Sequence, residues 1–265
     1  MAKKLTLVTC LYDLVKRGRT KYGHQGTCDW LFSNSDYVLG LNHELVVFTE
    51  PELADELRVR RGNRLTKIVT QPFEELLRTE HLEASQRGAI HLNASKTKAT
   101  VAYVQLTWAK QAMLEKALEI TDASHIGWID LGLTHVAKLP PVGVDIFADP
   151  YDLPHFHVWR RFSKKDVDAS DYWHYSRGHI AGGLIVGARD AMQRLARDFW
   201  AAVDCATAMG RAPLEEGLLA YVVAQRPNDF TYSYGHFEDI LRNHDTCRHQ
   251  ARRSYGRFYA RRRSA

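Results

Sequence analysis

One carboxylate stands where a sequence of this kind could use it. Ser124 to Gly132 reads Ser-His-Ile-Gly-Trp-Ile-Asp-Leu-Gly, a short apolar run that ends in Asp130 and meets a glycine two residues later. Such a run predicts a buried strand with one charge at its carboxyl end. In open α/β sheets ligands bind outside the carboxyl ends of the strands, and a carboxylate there can hold a divalent cation against a diphosphate. A surface turn after a core strand explains Asp130 equally simply. Glu215 and Glu216 follow Pro213 at the predicted start of a helix, where acids interact favourably with the helix dipole. Spacing turns Glu215 nearer than Glu216 to the apolar face of Leu214, Leu218, Tyr221 and Val222. Gly182-Gly183, before the run Leu184-Ile185-Val186, allows close backbone approach or a bulge. It is not a dinucleotide fingerprint. His236 and His244 are of a metal-ligating type, but neither stands out by spacing among 13 histidines.

The elements that would position these groups alternate along the chain. Leu5 to Leu11 predicts a first strand, and the basic stretch with Lys16, Arg17, Arg19 and Lys21 predicts a loop over its carboxyl end, suited either to phosphate or to solvent. Cys28 to Leu41 predicts an amphipathic helix, Glu44 to Glu50 a strand covered on both faces, residues 52 to 61 a helix and Leu65 to Thr70 a third strand. Thr97 to Leu118 carries Ala102, Leu106, Ala109, Met113 and Ala117 at helical spacing, with Lys110 off the centre of the stripe. Helices follow around Met192 to Val203 and from Pro213, and Phe230 to Tyr234 alternates like a late edge strand. This order predicts an α/β fold, a mostly parallel twisted sheet flanked by helices in a single domain over 1–247. Residues 133–178, rich in proline, aromatics and charge, predict an excursion that covers a site, as a lid or on the acceptor side, rather than a further layer.

At 265 residues, 45% hydrophobic and 25% charged, the chain has a soluble protein's composition. No window predicts a membrane span and the N-terminus lacks a signal-peptide core, so a cytoplasmic location is expected. The four cysteines lack metal-ligand spacing and predict free thiols. The net charge of +5 comes from the C-terminal tail, 248–265, with seven arginines and no acid. Setting those seven aside leaves 29 of the 36 basic residues against 31 acidic ones. A tail of this kind, interleaved with Tyr255, Phe258 and Tyr259, suits solubility, an anionic lipid surface or nucleic acid as a partner.

The ordered set Val8-Thr9-x-x-Tyr12-Asp13, Val46 to Glu50, Tyr103 to Lys110, Trp128-Ile129-Asp130-x-Gly132, Ala181-Gly182-Gly183 with Gly187, and Glu215-Glu216-x-Leu218-Leu219 resembles the HtrL/YibB (WlaTC-like) family of glycosyltransferase-type proteins, over about residues 5 to 245. The resemblance implies a GT-A-like fold and a nucleotide-sugar donor, a UDP-sugar above all, lying across the carboxyl edge of the sheet. Thr9 and the loop after it, with Arg19, would meet the nucleotide, and Lys110 would assist the diphosphate. Gly182 and Gly183 would line the sugar pocket. Asp130 would begin the metal-binding motif for Mn2+ or Mg2+, which departs from Asp-x-Asp because Gly132 holds the second position. His244, or His236, would then complete the shell. Glu215 or Glu216 would take the acceptor proton. The acceptor is expected to be a hydroxyl of a glycan or of a hydroxylated DNA base; the other reading is a GT-A-like protein that binds nucleotide sugar or nucleic acid without catalysis.

Overall fold

The structure, a computed structural model, describes residues 3–17, 27–89, 100–169, 171–175 and 178–246. Seven strands form one sheet: β1 Leu5–Leu11, β2 Glu44–Thr49, β3 Thr66–Thr70, β4 His125–Ile129, β5 His155–Val158, β6 Ile180–Ala188 and β7 Thr231–Tyr234. Their order is β3-β2-β1-β4-β6-β5-β7. All pairings are parallel except those of β6, which runs antiparallel to β4 and to β5. The α/β class and the mostly parallel, helix-flanked sheet expected from the sequence are therefore what the chain adopts.

Helices cover both faces, so the central strands are apolar almost throughout. On one face α4 Thr79–Ala89, α5 Val101–Ile120, α7 Arg189–Ala208 and α8 Glu215–Gln225 pack over Val8, Phe48, Trp128, Phe156 and Ile185. On the other, α1 Cys28–Ser33, α2 Asp36–Gly40, α3 Ala54–Arg61 and α9 Ile240–Thr246 pack over Leu7, Val47, Ile129 and Val186. Also on the first face, a four-residue helix, α6 Lys164–Val167, packs against α8 and carries a capping box made by Ser163 and Asp166.

Two differences from the sequence reading have physical causes. The single helix over Cys28 to Leu41 is two, because the Ser35 hydroxyl donates to the Phe32 carbonyl at 2.8 Å and ends the first run. The excursion 133–178 is not wholly outside the sheet, since it supplies β5, buried between β6 and β7. Its two histidines are acceptable in the interior because His155 Nδ1 pairs with Thr231 Oγ1 at 3.0 Å and His157 Nδ1 with Ser233 Oγ at 3.1 Å, across to β7. The bulge that the sequence allowed at Gly182-Gly183 is present: the β5–β6 register slips from Phe156 opposite Ile185 to His157 opposite Ala181, leaving residues 182–184 without a partner on β5. Gly182 and Gly183 therefore sit in a bulge, at the sheet edge where β1 and β4 end.

Candidate functional site

Because β6 runs against its neighbours, its beginning lies beside the end of β4. The Asp130 backbone N–H donates to the Gly183 carbonyl at 2.9 Å, which puts the lone carboxylate against the glycine bulge. Strand alternation points Trp128 and Asp130 to the same face, and the indole Nε1 donates to Asp130 Oδ1 at 2.6 Å. Above them lie α5 and α8. Lys110 of α5 brings its ammonium 3.0 Å from Asp130 Oδ1, 2.7 Å from Glu215 Oε1 and 3.3 Å from the Gly182 carbonyl. The same group stands 5.5 Å from the centre of the Trp128 ring.

These contacts define what each residue does. Burial disfavours the Lys110 ammonium, but Asp130 and Glu215 outweigh it and raise its pKa well above the usual lysine value. Its three protons are matched by three protein acceptors, so Lys110 acts as an internal clamp between two carboxylates. Glu215 is 5% exposed, in keeping with the spacing argument that turned it toward the packed face, while Glu216 is partly exposed beside it. A Cβ on residue 182 would lie 2.6 Å from Glu215 Oε1, and one on residue 183 would lie 2.9 Å from Leu133 Cδ1 and 3.2 Å from Asp130 Oδ2. Only glycine leaves room for both carboxylates at these points.

The cluster forms one wall of a cavity of about 370 Å³. Cys10 and Tyr12 at the end of β1, Trp30 and Leu31 of α1, Tyr103 and Thr107 of α5, and His135 and Phe237 complete it. Burial raises the Cys10 thiol and the Tyr12 hydroxyl above their ordinary values, so both are neutral walls. Trp30 meets His135 edge to face at 4.7 Å. Sequence reasoning named Tyr12, Tyr103 and Trp128 only within the resembling motifs and gave no site role to Trp30, His135 or Phe237, although the two-residue spacing of Trp128 and Asp130 was a usable signal.

Asp130, Lys110, Glu215, Glu216 and Gly183 thus share one cavity, with Gly182 bonded to its clamp. Thr9 is fully buried and does not line the cavity; strand alternation turns it to the opposite face from Cys10. Arg19 lies outside the described residues, as does the Arg-rich tail. The two histidines do not join Asp130. His236 has an exposed side chain and contributes its backbone carbonyl to His157 Nε2 at 2.8 Å. His244 is enclosed by Phe147, Tyr151 and His155, each ring centre 5.2 Å away, and burial, with His157 nearby, pushes its pKa down to about 3.

At position 132 a Cβ would lie 3.2 Å from Leu31 Cδ2 and 3.6 Å from Trp30 Cζ3, so a larger side chain there would need Leu31 to shift by a few tenths of an ångström. Among the described residues no group of three His, Cys, Asp or Glu side chains is gathered to hold a metal. The described residues alone therefore do not make a metal cage. A cation shared with a ligand does, because both contacts of Asp130 fall on Oδ1 and its side chain is 39% exposed. Magnesium sites with one or two carboxylates, substrate phosphates and waters need no more. Among the described residues no helix is long and apolar enough to cross a membrane.

No model of a known protein family matches the chain. It is similar to Protein HtrL of Escherichia coli (strain K12), 20% identical over 267 residues that cover 91% of this chain and 93% of that one. The resemblance carried by the ordered motifs is thereby borne out along nearly the whole length. Among solved structures, the apo form of mouse xyloside xylosyltransferase 1 is 12% identical and aligns with a TM-score of 0.47 over 88% of this chain and 85% of that one.

Proposed function

We propose that this HtrL-like chain is a glycosyltransferase that moves a sugar from a nucleotide-sugar donor, a UDP-sugar above all, to a hydroxyl acceptor. The observation that carries the reading is the Asp130–Lys110–Glu215 cluster, set beside a glycine bulge and an aromatic cavity at the carboxyl edge of the sheet. Such edges are where α/β sheets bind nucleotides.

In transfer, the acceptor oxygen forms a bond to the anomeric carbon while the bond from that carbon to the donor diphosphate breaks. The electron pair leaves with the diphosphate and the acceptor proton goes to a base. Asp130 would hold a divalent cation, Mn2+ or Mg2+, whose chemistry when bound is to neutralise the leaving diphosphate. Lys110 holds Asp130 and Glu215 in place, Gly182 and Gly183 leave room for those carboxylates, and Gly183 lines the cavity that would take the sugar. Both acids line the cavity, and Glu216, the more exposed of the two, is the better placed to receive the proton.

The test is thermal shift and calorimetric titration with UDP and a panel of UDP-sugars, with and without Mn2+, followed by donor hydrolysis. The wild-type chain should bind at least one UDP-sugar and hydrolyse it slowly, and Asp130→Asn should lower hydrolysis at least 100-fold. No response to any nucleotide sugar would refute the reading. Donor binding without hydrolysis or transfer would favour a protein that has kept the site and lost catalysis, the alternative that Gly132 in place of a second carboxylate supports.

A further inference from the structure

Beyond the donor cavity, β5 and β7 end at the same edge of the sheet and present an aromatic surface that the chemistry above does not use. Trp159 follows β5 directly, and its backbone N–H donates to the His179 carbonyl at 3.1 Å, which fixes its backbone beside the start of β6. Although tryptophan is usually well buried, Trp159 is 41% exposed. Its ring stands edge to face on Phe237 at 6.1 Å, and Phe237 lines the donor cavity. Gly178 explains the arrangement. A Cβ there would lie 2.5 Å from Trp159 Cζ2 and 3.1 Å from Glu216 Oε2, so the missing side chain lets the indole and that carboxylate approach a common point.

A flat apolar ring beside a carboxylate, at the mouth of a cavity that receives an activated sugar, matches a particular kind of ligand. One face of a pyranose is built of C–H groups and packs on an aromatic plane, while its rim carries hydroxyls that need polar partners. Resting on the glycosyltransferase reading, we propose that Trp159, with Phe237 behind it, is the platform of an acceptor subsite for a saccharide, which presents a hydroxyl to Glu216. A nucleobase could also stack on the indole, and Arg160 and Arg161 beside it are exposed. The acids of the cavity weigh the other way. With a cation at Asp130 engaged by the donor diphosphate, Glu215 and Glu216 still outnumber Lys110, and a phosphate backbone drawn toward Glu216 would meet that excess negative charge. The subsite commits to saccharide on this ground.

The experiment uses the full chain as wild type, Trp159→Ala and Trp159→Phe, each checked for its melting temperature. Each is applied with UDP to an array of saccharides and, in parallel, titrated with a single-stranded DNA oligonucleotide. The wild type should retain a defined set of saccharides, Trp159→Ala should weaken them at least tenfold, and Trp159→Phe should recover most of the loss. UDP affinity, measured separately, should stay within twofold in all three. Unchanged saccharide binding by Trp159→Ala, no saccharide retained by the wild type, or Trp159-dependent binding of the oligonucleotide in place of saccharide would each overturn the subsite. Failure of the wild type to bind UDP or any UDP-sugar would instead refute the donor reading on which the subsite rests.

Discussion

Replacing Lys110 by Met tests whether the clamp holds the site together. The substitution removes an ammonium that lies 2.7 Å from Glu215 and 3.0 Å from Asp130 and leaves the apolar stem in place. Asp130 is partly open to water, so solvent can take over much of its charge. Glu215, with a side chain only 6% exposed, cannot be rehydrated in the same way. Breaking a buried pair from one side costs about 3–5 kcal/mol, against about 0–1 kcal/mol for a pair at the surface. With an unfolding entropy near 2.1 cal/mol/K per residue, a chain of this size loses roughly 2 °C per kcal/mol, so the melting temperature should fall by roughly 6 to 10 °C. Scanning calorimetry at pH 7 reads this directly. The double variant Lys110→Met with Glu215→Leu should recover at least half of the loss, because the stranded carboxylate is gone. A fall of less than about 2 °C in the single variant, or double and single variants melting together, would show that the ammonium does not carry the cluster.

Three further outcomes follow from features away from the cavity. Arg61, 1% exposed, donates to the carbonyls of Leu39, Leu41, His43 and Leu65 and to Thr66 Oγ1, all at 2.8 to 3.1 Å and with no carboxylate near. Arg61→Met should cost about 3 kcal/mol or more in urea unfolding, since it leaves four carbonyls without that donor; a loss below about 1 kcal/mol would refute the accounting. Gly127→Ala would place a methyl 2.6 Å from Val186 Cγ2 and 2.7 Å from the Ile185 carbonyl, and should cost about 2–3 kcal/mol on the same measurement, whereas a neutral change would mean that β4 and β6 can separate freely. His244 stays neutral when folded, down to about pH 3, and takes a proton near pH 6.5 when unfolded. Its contribution is present above about pH 6.5 and is lost as pH falls toward 3, at about 1.4 kcal/mol per pH unit, so at pH 5 about 2 kcal/mol is gone. His244→Phe should flatten the stability profile between pH 6.5 and 4 by about one proton, and an unchanged slope would remove His244 as the cause.

The strands whose apolar residues are continuous were the most legible part of the chain. Leu5–Leu11 and Glu44–Thr49 follow from composition alone because both faces of the sheet are covered. β5 was hidden because two of its four residues are histidines, and what makes them acceptable is the row of hydroxyls on β7, far away in sequence. The reversed direction of β6 was hidden too, since alternation looks the same read either way, yet that reversal sets Gly183 against Asp130. Within the site, Asp130 and Glu215 were accessible from their places at a strand end and a helix start. The clamp role of Lys110 was not, because it depends on partners 20 and 105 residues away. His244 was illegible for a related reason: the resemblance suggested a ligand, and only its three aromatic neighbours reveal a residue packed in the core.

The interleaved strand order also dictates when the site can exist during synthesis. β1 to β4 lie side by side and need nothing from the second half of the chain to pair, so a ribosome that has released residues up to Ile129 can already have exposed a four-stranded parallel sheet with α5 upon it. At that moment Lys110 faces water and β4 is a bare edge. β6 then arrives in the opposite direction to close that edge, and β5, made earlier, has to wait for β6 before it gains its own place. Only when α8 follows does Glu215 reach the ammonium. The cavity is therefore a late product of translation, and chains cut short before α8 would leave the β5 edge open, without β7, and the cavity without its Glu215 wall, a combination that favours their capture by chaperones or proteases.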